Sequence, residues 1–325
     1  MSADPALEIV IPIFNDWESA SRLLPMVDEQ LKSAGVAARV LLVDDGSTTP
    51  CPAQWNLALG QIKSVQVLRL KRNMGHQRAI GMALCYLCEE STCEQVLVMD
   101  GDGEDAPSDI PRLLSALKAN PEAQIVFAER RKRSEGWIFT LFYGIYRYMH
   151  WLLVGHRVRV GNFSVMRREC LESLCVSSEL WNHFAAAVFA TKQPKAFVST
   201  NRATRLAGQS SMNYPALVMH GLSALSVFSD RISTRLLITS VFGVFATMAA
   251  LIVVALIRFT TGYAIPGWAT NAVGFLTLFS FQIVTFIFTF CFLVLLTRGQ
   301  SPFIPVRDYR YFVLRVREVF IGTDE

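Results

Sequence analysis

The stretch Val96-Leu97-Val98-Met99-Asp100-Gly101-Asp102-Gly103-Glu104-Asp105 is an apolar run that ends in a group of carboxylates. The same pattern occurs earlier in the chain, as Val40-Leu41-Leu42-Val43-Asp44-Asp45-Gly46-Ser47. Each apolar run is short and bounded by turn residues, which is typical of a strand buried in a parallel sheet. Because open α/β sheets bind ligands just beyond the carboxyl ends of their strands, we expect both groups of carboxylates to lie at a ligand site.

The Asp-x-Asp pair indicates the chemistry of that site. Asp100 and Asp102 place two hard oxygen ligands on the same side of an extended segment. Such ligands suit Mg²⁺ or Mn²⁺ held jointly with phosphate oxygens. The pair therefore predicts a site for a divalent metal ion and a diphosphate. From the residues alone, a solvated acidic loop at 100–105 and a simple capped turn at 44–47 are the alternatives.

The order of predicted elements indicates the fold class. Apolar runs and helical periodicity alternate as far as residue 128, which predicts an α/β domain with a doubly wound, mostly parallel sheet. Strands are expected at 9–13, 40–43, 65–70, 96–99 and 125–128, and helices at 18–33, from 73–77 to about 88, and at 107–119, the last with Ser108 as its cap and Pro111 in its first turn.

Two long uncharged runs follow near the C-terminus. Hydrophobic residues make up 52% of the 325 residues, and the mean hydropathy is +0.33. Much of that excess lies in Leu236–Ile257 and Ala272–Leu296. As helices these runs are roughly 33–37 Å long, enough to cross a hydrocarbon core of about 30 Å. Two transmembrane helices are therefore predicted, and two buried core helices are the alternative.

Basic residues flank the two runs unevenly. Arg231 and Arg235 precede the first run, and Arg298, Arg307 and Arg310 follow the second. The positive-inside rule then predicts an integral, multi-pass protein of the inner (plasma) membrane with both termini in the cytoplasm. We expect no signal peptide, because the N-terminus carries no basic region followed by a long apolar core.

Two amphipathic segments are expected to lie in the membrane interface. Residues 137–154 are mostly apolar but contain Arg147 and His150, which favours an interfacial helix over a third span. Residues 214–230 form a similar segment that leads directly into the first span.

Charge and cysteine content exclude other classes of function. The net charge of +4 comes without a basic stripe interleaved with aromatics, so we expect no nucleic acid partner. Cys85, Cys88 and Cys93 have no second pair of ligands at zinc-site spacing, so the seven cysteines are expected to be reduced and packed. His76 is expected to start a helix rather than to act in catalysis.

Several short motifs carry a family resemblance. In order, they are Ile11-Pro12-Ile13-Phe14-Asn15-Asp16, Val43-Asp44-Asp45-Gly46-Ser47, Asn73-x-Gly75-x-x-x-Ala79, Asp100-Gly101-Asp102-x-Glu104-Asp105-x-Pro107 and Arg205-x-x-Gly208-x-Ser210. Their order and spacing, followed by two apolar runs, resemble family 2 glycosyltransferases of the polyprenyl-phosphate type, similar to dolichol-phosphate mannose synthases and bacterial undecaprenyl-phosphate glucosyltransferases.

That resemblance implies a domain organisation. A cytoplasmic GT-A-like transferase domain is expected at 1–213, including the interfacial helix at 137–154. An amphipathic interfacial helix follows at 214–230. A membrane domain at 231–325 then holds the spans at about 236–257 and 272–296 and a cytoplasmic tail.

The resemblance also implies roles for individual residues. Pro12, Phe14 and Asp16 match the loop that holds the nucleotide, and Asp45 matches the aspartate at the base or ribose. Asp100, Gly101 and Asp102 match the segment at the metal and diphosphate, with Glu104 near the metal. Arg130, Arg133 and Arg205 match basic residues that face the donor or acceptor phosphate. The residues expected in catalysis are Asp102, Arg130, Arg133 and, as a fallback base together with Glu104, Asp105.

The implied reaction is a metal-dependent, inverting transfer of a sugar from a nucleoside diphosphate sugar to a polyprenyl phosphate at the cytoplasmic face of the membrane. Two positions depart from the family pattern, because Asn162 stands where many bacterial relatives have Asp and Ser211 stands where they have Lys. The alternatives are another membrane-bound acceptor or a non-catalytic nucleotide-binding scaffold. Self-association into a homo-oligomer through small residues such as Gly243, Ala246 and Ala250 is a further hypothesis.

Overall fold

The structure is a computed structural model. It describes residues 6–52, 55, 57–130, 144, 148, 151–155, 160–207, 214–261, 267–298 and 303–321. Arg133, Gly208, Ser210 and Ser211 lie outside the described residues, as does most of the segment 137–154 that was expected to be interfacial. Of that segment, Gly144, Tyr148 and residues 151–154 are described, and they are helical.

The apolar runs of the first 130 residues form strands where the sequence predicts them. They are β1 (Leu7–Ile13), β2 (Ala38–Asp44), β3 (Ile62–Leu70), β4 (Gln95–Val98) and β5 (Ile125–Arg130). Three further strands were not predicted: β6 (Ser164–Arg167), β7 (Lys195–Thr200) and β8 (Val313–Ile321).

The strands form one mixed, mostly parallel sheet in the order β7-β5-β6-β4-β1-β2-β3-β8. Parallel pairs join β4, β1, β2 and β3 at its centre and β5 with β7 at one edge. β6 runs antiparallel between β4 and β5, and β8 runs antiparallel along β3 at the other edge. The missed strands lack a long apolar run: β6 has four residues, and three charged residues interrupt β8, as suits an edge strand.

Helices cover both faces of the sheet. The described helices of this part are α1 (Trp17–Ala34), α2 (His76–Glu90), α3 (Ile110–Ala119), α4 (Arg168–Cys175) and α5 (Phe184–Ala190). α1 and α3 bury their apolar sides in one core cluster, while α2, α4 and α5 contribute to the other. Along β1, Val10 belongs to one cluster and Ile9 and Ile11 belong to the other, which is the two-residue period of a strand buried on both faces. The predicted doubly wound α/β class is confirmed.

The predicted cap of the third helix is wrong. Pro107–Asp109 forms a separate 3₁₀ turn, and α3 begins at Ile110 with Asp109 in the cap position. The fixed φ of Pro107 favours the start of this tight turn, which directly precedes the α-helix. Ser108 lies within the turn and is exposed to solvent. Pro111 lies in the first turn of α3, as predicted.

Among the described residues of the C-terminal part, three more helices have at least 13 residues: α6 (Tyr214–Ser226), α7 (Ser229–Thr260) and α8 (Trp268–Arg298). A single turn, α9 (Pro305–Asp308), precedes β8. Two compact units result: residues 1–139, 158–227 and 303–325 form the first, and residues 140–157 and 228–302 form the second.

Within the second unit, α7 and α8 pack against each other. Ser280 Oγ donates a hydrogen bond to Thr247 Oγ1 at 2.8 Å, and Thr247 in turn donates to the carbonyl of Val244. Both helices are long and apolar enough to cross a membrane, and only 6% and 0% of the residues in their most apolar windows are buried.

A glycine fixes how the loop after β2 packs. Gly46 has φ +69°, and a Cβ at this position would lie 2.6 Å from the backbone carbonyl carbon of Arg72 and from the backbone nitrogen of Asn73. The loops after β2 and β3 therefore approach each other closely only because residue 46 has no side chain. Gly35, which ends α1, has a similar φ of +65° but open space around its Cβ position.

We predict that Gly46→Ala destabilises the protein more than Gly35→Ala. Gly35→Ala incurs only the cost of left-handed backbone, about 1 kcal/mol, whereas Gly46→Ala adds an overpacking cost of about 1–3 kcal/mol. Thermal unfolding of the full-length protein in detergent measures both. An equal loss in the two variants would show that the backbone contact at residue 46 does not exist.

Candidate active site

The carboxylates singled out by the sequence come together at one edge of the sheet. β4, β1 and β2 are neighbours and run parallel, so the segments that follow them all emerge at their carboxyl ends. These segments are 14–16 after β1, 45–49 after β2 and 99–105 after β4. The predicted grouping of the two carboxylate patches at one edge agrees with this topology.

Asn15 joins the first two of these segments. Its φ is +56°, and its side-chain Oδ1 accepts hydrogen bonds from the backbone N–H groups of Thr48 and Thr49 at 2.9 and 3.0 Å. The hydroxyls of both threonines lie within 3.1 Å of the same oxygen. The Asn15 N–H donates to Ser47 Oγ at 2.9 Å. This residue therefore fixes the rim of the site, a role that the sequence did not reveal.

Asp45 holds the loop that precedes α2. Its side chain is buried, with Oδ1 accepting from the N–H of Met74 at 2.7 Å and Oδ2 from the N–H of Gly75 at 2.9 Å. Burial raises the pKa of this carboxyl, and it outweighs the opposite effect of the two backbone donors. The expected contact of Asp45 with a base or ribose stays a prediction, since its described contacts are structural.

The Asp-rich segment after β4 is closed by its own carboxylates. Buried Asp105 accepts a hydrogen bond from the N–H of Asp100 at 2.9 Å, and Asp102 Oδ1 accepts from the N–H of Glu104 at 2.9 Å. A Cβ on Gly101 would lie 2.9 Å from the carbonyl oxygen of Pro12, so the segment packs tightly against β1. Asp105 thus stabilises the turn, and its role as a base stays a prediction.

Pro12 itself is tolerated inside a central strand. It lies beyond Val10, the last residue of β1 that pairs with β4, so its missing N–H interrupts no pair on that side. The chain turns after Ile13, and Phe14 is 45% exposed at the site.

Arg205 links two of the predicted ligand-binding carboxylates. Its Nη2 lies 2.9 Å from Asp16 Oδ2, and its Nη1 lies 3.1 Å from Asp102 Oδ2. The Arg205 side chain is 25% exposed, so it is not sealed off from a ligand. The segment that carries Arg205 also binds the Asp-rich turn through its backbone: the N–H of Ala203 donates to the carbonyl of Glu104, and the N–H of Leu206 donates to the carbonyl of Asp102.

The metal prediction is supported in part by this geometry. Asp100 and Asp102 are partly buried carboxylates on one turn, which is the oxygen donor chemistry that Mg²⁺ and Mn²⁺ prefer. Glu104 instead forms an ion pair with Arg202. Among the described residues, no three His, Cys, Asp or Glu side chains converge on a metal position. The two aspartates therefore fit a metal ion, whereas ligation by Glu104 stays a prediction.

His76 and Asn162 contact Asp100 and were not predicted to do so. His76 starts α2, as expected, and its Nε2 lies 3.1 Å from Asp100 Oδ1. The Nδ2 of Asn162 lies 3.2 Å from the same oxygen and 2.9 Å from His76 Nε2. Partial removal of the ring from water opposes a charge on His76, but the negative charges of Asp100, Asp102 and Asp105 outweigh this effect and raise the pKa of the imidazole.

Two predicted basic residues are not tested by the geometry. Arg130 is the last residue of β5 and pairs with Thr200, the last residue of the parallel strand β7. The side chain of Arg130 lies outside what the structure describes. Arg133 lies in the undescribed segment that follows. Their proposed contact with a phosphate stays a prediction.

Comparison with known families identifies this domain. The model of glycosyl transferase family 2 matches residues 8–175, which include β1 from its second residue, all of β2 to β6 and the Asp-rich turn. The chain belongs to glycosyltransferase family 2. The predicted activity is thereby confirmed at this level: the protein is a glycosyltransferase that uses a nucleotide sugar.

Curated relatives of this glycosyltransferase match over most of its length. The uncharacterized glycosyltransferase YkoT of Bacillus subtilis is 29% identical over 82% of this chain and 80% of its own. The uncharacterized glycosyltransferase sll0501 of Synechocystis sp. is 26% identical over 86% of this chain and 87% of its own.

A solved structure supports the GT-A-like fold. It is glucosyl-3-phosphoglycerate synthase from Mycobacterium tuberculosis in complex with Mn²⁺ and UDP-glucose, 17% identical with a TM-score of 0.51. The match covers 70% of this chain and 79% of that one. At this identity the likeness shows the fold alone.

We predict that the contact of His76 with the aspartates of this glycosyltransferase makes its stability depend on pH. A raised pKa means that the imidazolium stabilises the fold fully below its ordinary value of 6.5, and that this contribution is lost as the pH rises through the raised value. Without added metal, His76→Gln should lower the Tm by roughly 1–2 °C at about pH 6 and by less at about pH 9, a small effect because the side chain is 43% exposed. A Tm difference that does not change with pH would contradict the assignment.

Proposed function

We propose that this glycosyltransferase transfers a sugar from a nucleoside diphosphate sugar to a polyprenyl phosphate, such as undecaprenyl or dolichyl phosphate, at the cytoplasmic face of the membrane. The reaction is inverting and depends on Mg²⁺ or Mn²⁺. The observation that carries this proposal is that one chain combines the acidic transferase site with two long apolar helices in which almost no residue is buried.

The exposure of these helices supports a lipid environment. Phe275, Phe281 and Phe288 of α8 are each more than 70% exposed, and aromatic side chains of this size are seldom left in water in such number. A polyprenyl phosphate is confined to the bilayer by its tail. An enzyme anchored in the same bilayer meets this acceptor at the membrane surface. An enzyme with a soluble acceptor would not need such an anchor.

The path of the chain supports a topology in which the start of α7 and the end of α8 lie on the same side of the bilayer. The segments before α7 and after α8 belong to the same compact unit, since residues 158–227 and 303–325 are part of one domain. If α7 and α8 cross the bilayer, the chain must return to the side from which it left. This agrees with the arginines at both flanks, which favour the cytoplasmic side.

The acidic site supports binding of a donor diphosphate. Asp100 and Asp102 would hold the divalent ion, which stabilises the charge that develops on the leaving diphosphate. Arg205 presents a guanidinium whose two terminal nitrogens now contact Asp16 and Asp102. A guanidinium matches two phosphate oxygens in the same way, so we infer that Arg205 exchanges carboxylate contacts for the donor phosphate.

The acceptor explains why a strong base is not needed. A phosphate monoester is already anionic near neutral pH, because its second pKa is about 6. Its oxygen can therefore attack the sugar without losing a proton first. Asn162, which cannot accept a proton as an aspartate does, is compatible with such an acceptor. One displacement at the anomeric carbon inverts its configuration.

We predict that Asp102→Ala reduces sugar transfer by about 10²–10³-fold or more, because it removes a metal ligand. Transfer to lipid in purified membranes, with Mn²⁺ and labelled donor, measures this effect. Asp109→Ala is the matched control, because Asp109 lies at the start of α3 and pairs with Arg112 outside the site. Activity of Asp102→Ala close to that of wild type would refute the metal assignment.

We predict that a panel of acceptors shows transfer of the sugar to a membrane lipid and not to a soluble phosphate compound. Full-length protein in membranes is supplied with labelled UDP- and GDP-sugars and with either undecaprenyl phosphate, dolichyl phosphate or 3-phosphoglycerate. The last is included because the solved structural neighbour is a glucosyl-3-phosphoglycerate synthase. Label should enter the lipid phase with one donor and disappear with EDTA. Label only in the soluble product would overturn the lipid acceptor.

A further inference from the structure

Two buried amide side chains lie behind the Asp-rich turn. Gln77 is in the first turn of α2, and Asn162 lies just before β6; each is 8% exposed. Gln77 Nε2 donates to Asn162 Oδ1 at 3.0 Å. Gln77 Oε1 accepts from the backbone N–H of Phe184, the first residue of α5, at 2.8 Å.

This chain of hydrogen bonds has only one possible direction. A backbone N–H can only donate, so the atom of Gln77 that faces Phe184 must be the oxygen. The amide nitrogen of Gln77 then faces Asn162, and a donor there requires the Asn162 oxygen on that side. The amide nitrogen of Asn162 is therefore directed at Asp100 Oδ1, 3.2 Å away, and at His76 Nε2, 2.9 Å away.

We propose that Gln77 is a positioning residue for Asp100 that acts through the Asn162 amide. The inference rests on the proposed function, because it assumes that Asp100 holds the divalent ion. Hydrogen bonds to a ligating carboxylate fix its orientation, and removing such outer partners typically lowers metal affinity or activity by about 10–100-fold. Asn162 suits this role because its side chain can accept from Gln77 and donate to Asp100 at the same time.

The series of hydrogen bonds begins in the protein core, at the backbone N–H of Phe184. Phe184 is fully buried, and its ring lies 6.3 Å from that of Phe127 on β5. The orientation of Asp100 is thus tied to α5 and the sheet rather than only to the turn that carries it. An aspartate at 162 would accept from Gln77 but could not donate to Asp100, and it would place a second negative charge beside that carboxylate.

The test measures Mn²⁺ binding by the full-length protein in detergent, with Mn²⁺, alone and together with UDP or GDP, as the probe and free Mn²⁺ followed by electron paramagnetic resonance. Asn162→Ala removes the donor to Asp100. Gln77→Glu keeps the acceptor for Phe184 but removes the donor to Asn162, so the Asn162 amide is expected to turn its nitrogen away from Asp100. Each single variant should weaken Mn²⁺ binding by about 10–100-fold.

The double variant separates positioning from general damage to the fold. If Gln77 acts through Asn162, Gln77→Glu should have no further effect on Mn²⁺ affinity in the Asn162→Ala background. Ser164→Ala is the matched control, because the Ser164 hydroxyl is buried and donates to the backbone carbonyl of Asn162 at 2.9 Å, without touching either amide. It should change the Tm but leave Mn²⁺ affinity as in wild type. If Gln77→Glu does not fold, Gln77→Met takes its place.

Asp102→Ala distinguishes the failure of this inference from the failure of the proposed metal site. If wild type does not bind Mn²⁺, or if Asp102→Ala binds it as wild type does, both the metal site and the positioning role are wrong. If Asp102→Ala loses Mn²⁺ but the Gln77 and Asn162 variants keep it, only the positioning role is wrong. Additive losses in the double variant, or an equal loss in Ser164→Ala, would also overturn the positioning role.

Discussion

The concentration of negative charge at the carboxyl ends of β4, β1 and β2 is the constraint on which the site depends. Carboxylates placed this close repel one another and are expensive to remove from water unless they are paired. The chain offsets this cost with backbone N–H groups for Asp45 and Asp105 and with one guanidinium shared by Asp16 and Asp102. The same contacts join the loops to one another, so the charge that we propose binds the donor also organises the site.

The sequence predicts those parts of the fold that depend on local patterns. Apolar runs locate β1 to β5, and the alternation with helices implies that Asp45 and Asp100 meet at one edge of the sheet. β6 and β8 are missed because their stability comes from pairing with distant strands rather than from their own composition. His76, Gln77 and Asn162 are missed as a group for a related reason. Their mutual contacts join positions about 85 residues apart, and no period in the sequence marks them.

The family assignment and the two apolar helices concern different parts of the reaction. The sheet and its acidic turn are common to an enzyme class that uses nucleotide sugars, and they do not identify the acceptor. The helices carry no chemistry of their own, but in the proposed membrane setting their exposed surface restricts where the enzyme works. We therefore infer the donor from the site and the acceptor from the anchor, so a variant of one need not disturb the other.

The position of β8 has a consequence for synthesis of the chain. β8 pairs with β3 along the edge of the sheet, yet it follows α7 and α8 in the sequence. During translation the edge of β3 therefore stays unpaired until both apolar helices have left the ribosome. An open strand edge is a site for aggregation, so the nascent domain is exposed to misassembly for as long as those helices take to emerge. Ribosome stalling within α8 would leave the domain without its last strand, even though all the active-site segments described above have already been synthesised.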